Sequence, residues 1–132
     1  MIYTSYFGKL KKLPDNIIPI AICAKVPEWY KGLQYKKLSP KYEFFSKWKQ
    51  NNDNEEFVKS YKEHVLDKLD VNNIVKELDY MMLDETNTID SKVDEICHIA
   101  LICYEKPSDF CHRHIVAEWL REAGYKCEEW NG

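Results

Sequence analysis

Side chains that can do chemistry are concentrated in one short stretch, residues 103–114. In order, it contains Cys103, Glu105, Lys106, Ser108, Asp109, Cys111, His112, Arg113 and His114. These residue types supply a nucleophile, general acids and bases, and cations that pair with an anion. The segment is therefore predicted to be the working site of the protein, acting either through a cysteine or by holding an anionic ligand.

Cys111 is the central residue of this prediction. If Ser108 or Asp109 caps the following helix, Cys111 falls in its first turn, where unpaired backbone N–H groups and the helix dipole favour negative charge. Lys106 and the other nearby cations add to that potential. Because such settings lower the pKa of a thiol, the sequence predicts that Cys111 can be ionised at neutral pH.

Two functional interpretations of the segment stay open, an enzyme and a binding protein. In the enzyme, Cys111 is the nucleophile, His114 or Glu105 is the acid or base, and Arg113 stabilises developing charge. His114 is favoured as the partner of the thiol because residues three apart share a helix face, whereas His112 points away. In the binding protein, Arg113 and backbone amides hold a phosphate or carboxylate without turnover. Plain packing of a free cysteine among solvated charges explains the same residues equally well.

A metal site is not favoured at this stage. The candidate ligands are Cys103, Cys111, His112 and His114. Their spacing fits no standard zinc pattern, and two of them are expected on different helix faces. The sequence therefore predicts neither a metal nor another cofactor.

The elements that must position the segment are predicted from the spacing of apolar residues. Residues 2–7 and 17–24 are predicted as strands, and residues 96–104 as a buried central strand that leads into the helix of Cys111. Residues 24–40 are predicted as an ordered, lid-like loop. Residues 41–83 have a helical period and form an insert between strands two and three, followed by a surface loop. The fold class is thus α/β with a mostly parallel sheet.

Parallel strands bring their carboxyl ends to one edge of a sheet, where ligands bind. Ser5, Tyr6 and Lys25 are therefore expected to join Glu105 in one polar pocket. Three aromatic residues of the lid-like loop either stack on a base or sugar or anchor the loop to the core: Trp29, Tyr30 and Tyr35.

Length and composition narrow the class of protein. A chain of 132 residues fits one domain, residues 1–132. The net charge of −3 provides no overall field that gathers nucleic acid or an acidic membrane. There is no apolar run of the length that spans a bilayer and no signal-like opening. Five cysteines without close pairs are expected to be free thiols, so the predicted location is the cytoplasm.

Residues 101–120, LICYEKPSDFCHRHIVAEWL, closely resemble the signature of domain-of-unknown-function family 488. That signature is an apolar strand, Cys-x-Glu, Cys-His-Arg, and a helix with Ala-x-x-Leu. Segments 2–7 (IYTSYF) and 35–40 (YKKLSP) resemble the same family, so the likeness covers essentially the whole chain. It implies a compact three-layer α/β fold but no activity. The site that it implies consists of Cys103, Glu105, Cys111, His112 and Arg113. Because the family occurs in bacteria and bacteriophages, a role in phage–host conflict stays open.

The leading functional prediction is binding of a small anionic ligand at the amino end of the Cys111 helix. A nucleotide or another phosphorylated metabolite is expected there, with cysteine-dependent turnover as an extension. A nucleic-acid-associated protein is the first alternative, with a basic stripe made of Lys9, Lys11, Lys12, Lys36, Lys37 and Lys41. The second alternative is an interaction module that masks a host protein with exposed aromatics of the insert, namely Phe44, Tyr61 or Tyr80. The sequence does not specify an oligomeric state.

Overall fold

The computed structural model describes residues 1–89, 97–106 and 109–131, and for residues 86–89 it describes the backbone alone. Its strands are β1 (Ile2–Tyr6), β2 (Ile17–Ala21), β3 (Leu33–Gln34), β4 (His98–Cys103) and β5 (Cys127–Glu129). They form one parallel sheet in the order β3-β2-β4-β1-β5. The strand β4 lies at the centre because nearly all its positions are apolar and buried, as expected for a strand covered on both faces.

The α-helices within the described residues are α1 (Tyr42–Asn51), α2 (Asn54–His64), α3 (Val71–Ile89) and α4 (His112–Glu122). Short 3-10 helices span Phe7–Lys12, Lys36–Leu38 and Leu66–Lys68. Asp53 caps α2 by accepting a hydrogen bond from the backbone N–H of Glu56. Gly124 follows the end of α4 with φ 97°, a left-handed conformation that glycine adopts at little cost. None of the described helices is both long and apolar enough to cross a membrane.

The sheet is covered differently on its two faces. One face, with Ile20, Ile99 and Leu101, packs against the apolar sides of α2, α3 and α4. The other face, with Ile102, packs against the first 3-10 helix and the loop after β2, through Phe7 and other apolar residues. The predicted compact α/β fold is confirmed, with a 3-10 helix and a loop forming one outer layer.

Two details of the predicted organisation are wrong. The lid-like loop contains the short strand β3 and a 3-10 helix, so the helical insert follows β3 rather than the second strand. The helix α3 continues through Ile89, although residues 84–95 were predicted as a surface loop. Residues 90–95 of that predicted loop lie outside the described residues. Of the two alternatives given for the aromatic residues of this loop, Tyr30 and Tyr35 follow the second, since both are buried and anchor the loop, whereas Trp29 is 62% exposed.

Candidate functional site

A cavity of about 370 Å³ opens at the carboxyl ends of β2 and β4, beside the amino end of α4. Residues that follow the two strands form one side of it, and residues of the helical insert form the other. Its lining consists of Cys23, Ala24, Lys25, Pro40, Phe45, Trp48, Lys49, Phe57, Cys103, Tyr104, Glu105, Phe110, Cys111 and His112. The cavity therefore lies where an open parallel sheet is expected to bind a ligand.

The wall on the side of the insert is aromatic. The rings of Trp48 and Phe110 lie 5.5 Å apart between centroids, and Phe57 packs edge-on against Phe110 at 5.3 Å. The indole N–H of Trp48 donates to Asn54 Oδ1 at 2.7 Å, which fixes the orientation of that ring. The cavity thus presents a preformed aromatic surface.

Three buried side chains with donor atoms meet at the inner side of this cavity: Cys103, Cys111 and His112. Their two sulfurs and one imidazole nitrogen all lie within 4.8 Å of one another. Cys103 is the last residue of β4, whereas Cys111 is the N-cap of α4 with φ −154° and ψ 143°. A cap residue lies outside the helical turn, so the side chains of Cys111 and His112 are not separated by the angle expected within a helix. For this reason the expectation that His112 points away from Cys111 is wrong.

His112 is held in one tautomer by a backbone contact. Its Nε2 lies 2.8 Å from the carbonyl oxygen of Ile22. A carbonyl oxygen accepts only, so Nε2 carries the proton, and in the neutral ring the lone pair of Nδ1 is free to accept. Nδ1 lies 4.0 Å from Cys111 Sγ. His112, rather than the predicted His114, is therefore the imidazole next to this thiol.

The thiol of Cys111 does not have the depressed pKa that its position predicted. The pKa is raised well above its ordinary value, first by a hydrogen bond with Cys103 and then by burial, while His112 lowers it only in part. The lowering of the pKa that a helix N-terminus produces is thus outweighed by burial and by the hydrogen bond with Cys103. Both effects favour the neutral thiol of Cys111 over the thiolate.

Arg113 also differs from its predicted role. Its side chain is fully buried and forms two hydrogen bonds to Glu129, from Nε and Nη2, both 3.1 Å long. Its Nη1 donates to the carbonyl oxygen of Glu105 at 2.6 Å and to Cys103 Sγ at 3.6 Å. Burial lowers the pKa of Arg113, but Glu129 and the cysteine sulfurs outweigh that effect and raise it overall. Since Arg113 does not line the cavity, it holds the segment in place rather than gripping a ligand there.

The other predicted site residues divide into two groups. Lys25 and Glu105 line the cavity, as the meeting of strand ends predicted. Lys106 is exposed and is not part of the lining. Ser108 lies outside the described residues.

The remaining predicted residues lie away from the cavity lining. Ser5 is fully buried, and its hydroxyl has no hydrogen-bond partner among the described residues. The ring of Tyr6 lies under the Arg113 guanidinium at 5.8 Å. Burial and then the charge of Arg113 lower the pKa of His114. None of these three residues is in the cavity lining.

Several residues of the site were not singled out from the sequence. Trp48, Phe57 and Phe110 form the aromatic wall together with Phe45. Lys49 and Cys23 also line the cavity, and Glu129 holds Arg113. The stripe of Phe45 and Trp48 was visible in the sequence as a helical period, but periodicity does not tell a core face from a pocket wall. No local signal linked Glu129 to Arg113.

Two surfaces were predicted for the alternative functions, a basic stripe for nucleic acid and an aromatic face for a host protein. In the proposed basic stripe, Lys37 pairs with Glu77 at 2.8 Å and Lys36 donates to the carbonyl of Ala24. In the proposed protein-binding face, Tyr61 is fully buried, whereas Tyr80 is 71% exposed. A footprint that includes Tyr61 is therefore wrong, and nucleic-acid retention stays a prediction that its dependence on salt would test.

Comparisons with known proteins give one finding. The family model described as "Active DUF488-N3 subclade" matches residues 9–124, which include all of β2, β4 and α4. Neither the curated proteins nor the solved structures gave a match. The match covers most of the chain, and so the protein belongs to the DUF488 family, within its active DUF488-N3 subclade.

Proposed function

We propose that this protein binds a small anionic ligand with a flat ring, a nucleotide or a similar phosphorylated metabolite, in the cavity between α1 and the amino end of α4. The observation that carries this proposal is the combination of an aromatic wall with two lysines in one cavity. A volume of about 370 Å³ lies within the range of small-molecule sites, which are concave and mostly apolar with a few polar groups. The ligand would lie with its ring against Trp48 and Phe110.

The anionic part of the ligand is assigned to the ammonium groups of Lys25 and Lys49, which line the cavity from its two sides. Both side chains line the cavity and both residues are exposed, so their ammonium groups are available to a phosphate. The amino end of α4, beginning at His112, adds the positive end of a helix dipole. A phosphate would thus be attracted from two directions.

Glu105 supplies the polar group of opposite sign. It is half-buried in the cavity lining, and its backbone carbonyl is fixed by Arg113. A carboxylate in such a position accepts hydrogen bonds from an amino group of a base or a hydroxyl of a sugar. This arrangement favours a ligand that has donors as well as a phosphate.

Binding can be tested with a matched panel of nucleosides, nucleoside monophosphates and inorganic phosphate, by calorimetry and thermal shift. At least one monophosphate is expected to bind about 10-fold more tightly than its nucleoside, because each charge-assisted hydrogen bond contributes about 1.5–3 kcal/mol when well formed. Lys25→Gln and Lys49→Gln should each reduce that preference. Lys31→Gln, at an exposed lysine outside the lining, is the control.

The outcome that would remove the proposal is equally direct. If no member of the panel stabilises the protein, or if monophosphates and nucleosides bind alike, the cavity is not a site for an anionic ring. If only long single-stranded oligonucleotides bind, and salt weakens their binding steeply, the nucleic-acid alternative replaces it.

A chemical step on the ligand is a second candidate function, favoured by the contact between Cys111 and His112. In that step Cys111 Sγ forms a bond to an electrophilic atom of the ligand, the thiol proton passes to His112 Nδ1, and the leaving group departs with its electron pair. The carbonyl of Ile22 orients the imidazole for this role. Intact-protein mass spectrometry after incubation with the panel would detect an adduct, which Cys111→Ser should abolish. If no panel member forms an adduct or is converted, this candidate fails.

A further inference from the structure

The geometry points to a zinc site at the inner side of the cavity, with Cys103 Sγ, Cys111 Sγ and His112 Nδ1 as ligands and one position left open toward the cavity. This inference goes beyond the proposed ligand binding and does not depend on it. Two thiolates and one imidazole form a donor set that proteins use for catalytic zinc, where a water or substrate takes the fourth position. The spacing along the chain did not predict the site, because the strand end and the helix cap meet only in the fold.

The three donor atoms are close to the arrangement that a zinc ion requires. Around a tetrahedral ion with bonds of ordinary length, such donors lie about 3.5–3.8 Å apart. Here all three lie within 4.8 Å of one another, and Cys111 Sγ lies 4.0 Å from His112 Nδ1. Closing the site around an ion therefore requires the donor atoms to approach one another by about 1 Å at most. All three residues are buried, so little water must be displaced from them.

The groups behind the ligands also match a metal site. A histidine that binds a metal usually donates its second ring N–H to a backbone carbonyl or carboxylate. His112 makes this contact with Ile22, which leaves Nδ1 free to coordinate. On the other side, Arg113 donates to Cys103 Sγ at 3.6 Å, as is expected around an anionic sulfur, and Glu129 balances its charge.

The open position faces the cavity in which the proposed ligand would lie. Glu105 lines the same cavity but is not within the group of mutually close donors, so it is not assigned as a ligand. Binding of one zinc ion converts two thiols to thiolates and releases two protons, with no redox change. A sulfur that is coordinated in this way is no longer free to attack, so zinc binding would exclude Cys111 as the nucleophile.

The first experiment uses the whole chain, reduced and freed of metal by a chelator, with a count of free thiols to exclude disulfides. Cobalt(II) is added as a spectroscopic substitute and then displaced by zinc. We expect one ion per chain, thiolate-to-cobalt charge-transfer absorption with tetrahedral visible bands, and release of about two protons per ion. X-ray absorption of the zinc-loaded wild-type protein should show two sulfur ligands with lighter atoms completing the shell.

Variants then assign the ligands. Cys103→Ser, Cys111→Ser and His112→Gln should each weaken zinc binding by at least about 100-fold, because a three-ligand site loses one direct bond. Cys23→Ser is the matched control, since Cys23 is a buried thiol in the same cavity lining but lies outside the group of three. It should bind zinc within about 3-fold of the wild type. Circular dichroism of each metal-free variant checks that it is folded.

Either of two results on the wild-type protein would overturn the inference. If the reduced wild-type protein gives no charge-transfer band, or if X-ray absorption shows fewer than two sulfur ligands, there is no such site. Equal loss of zinc binding in Cys23→Ser and Cys111→Ser would also contradict the assigned ligand set. Nucleotide binding that persists in metal-free protein would leave the proposed function standing while the zinc site is tested separately.

Discussion

Arg113 and Glu129 form a two-point ion pair that ties the start of α4 to the last strand of the sheet. Both nitrogen–oxygen distances are 3.1 Å, the Arg113 side chain is fully buried and that of Glu129 is 18% exposed. The hydroxyl of Thr4 donates to the same carboxylate at 2.6 Å. Because Arg113 also holds the carbonyl of Glu105, this pair determines where the segment after β4 lies. Its role is to position the cavity lining from behind.

The first prediction concerns this ion pair. Glu129→Gln should lower the free energy of unfolding by about 3 kcal/mol, because removing one partner leaves the buried guanidinium without its countercharge. Urea denaturation followed by circular dichroism measures the change. Glu128→Gln, at an exposed neighbour on the same strand, should stay within about 0.5 kcal/mol of the wild type. A small effect at position 129 would mean that water or another group compensates Arg113.

The parts of the fold that could be predicted from the sequence are those with a local signal. The strand β4 is apolar at nearly every position. The turn between β4 and α4 was located because a continuous apolar run precedes it and a helical apolar period follows it. Lys25 and Glu105 were placed in one pocket by the rule that parallel strands share a carboxyl edge. Local pattern and topology together were sufficient for these two residues.

The parts that could not be predicted depend on contacts between distant segments. The N-cap of α4 is Cys111 rather than Ser108 or Asp109, and this shift of two or three residues in the helix start changes the partner of Cys111 from His114 to His112. Its raised pKa comes from Cys103 and burial, which no spacing reveals. The aromatic wall requires α1 to pack over the strand ends, and tertiary packing of that kind is not encoded in helical period alone.

The second prediction concerns the relative reactivity of Cys97 and Cys111 in metal-free protein. Cys97 is half-buried, whereas Cys111 is buried and its pKa is raised, so iodoacetamide should label Cys111 at least about 10-fold more slowly at neutral pH. Since His112 lowers the pKa of Cys111, His112→Asn should slow that labelling further. Peptide mass spectrometry over time measures each site. Faster labelling of Cys111 than of Cys97 would contradict this prediction and would indicate that Cys111 is a thiolate at the start of α4.

The third prediction is a dependence of stability on alkaline pH that comes from Tyr30. Burial raises the pKa of Tyr30 to about 12 from an ordinary 10, and its hydroxyl donates to the carbonyl of Leu33 at 2.7 Å. Between these two pH values the unfolded chain loses the phenol proton while the folded chain keeps it, so stability falls as pH rises. The loss from this residue is about 1.4 kcal/mol by about pH 11.

Tyr30→Phe tests that dependence. The variant should be about 1 kcal/mol less stable near pH 8, where the hydrogen bond is lost, but its stability should fall less steeply up to about pH 11. Urea denaturation at several pH values gives both slopes. Tyr80→Phe, at a tyrosine that is 71% exposed, should follow the wild-type curve. Parallel curves for Tyr30→Phe and the wild type would show that Tyr30 does not titrate abnormally.

The last prediction tests whether the aromatic wall recognises a flat ring. Trp48 contacts Phe110 at 5.5 Å and is held by its hydrogen bond to Asn54, so it offers a fixed face at little cost in side-chain entropy on binding. Stacking of one base on an aromatic ring contributes about 1–3 kcal/mol. Trp48→Leu should therefore weaken the best monophosphate of the panel by about 10-fold or more, while Trp48→Phe retains most of the affinity.

The control for that loss is an exposed tryptophan outside the cavity lining. Trp29 is 62% exposed and is not part of the cavity lining, so Trp29→Leu should leave binding unchanged. Inorganic phosphate provides a second control, because it has no ring and its weaker binding should be equal in Trp48→Leu and the wild type. If Trp48→Leu weakens phosphate and nucleotide alike, the substitution acts by distorting the cavity. If it weakens neither, the ring of the ligand lies elsewhere, and the wall is part of the core that joins α1 to α2.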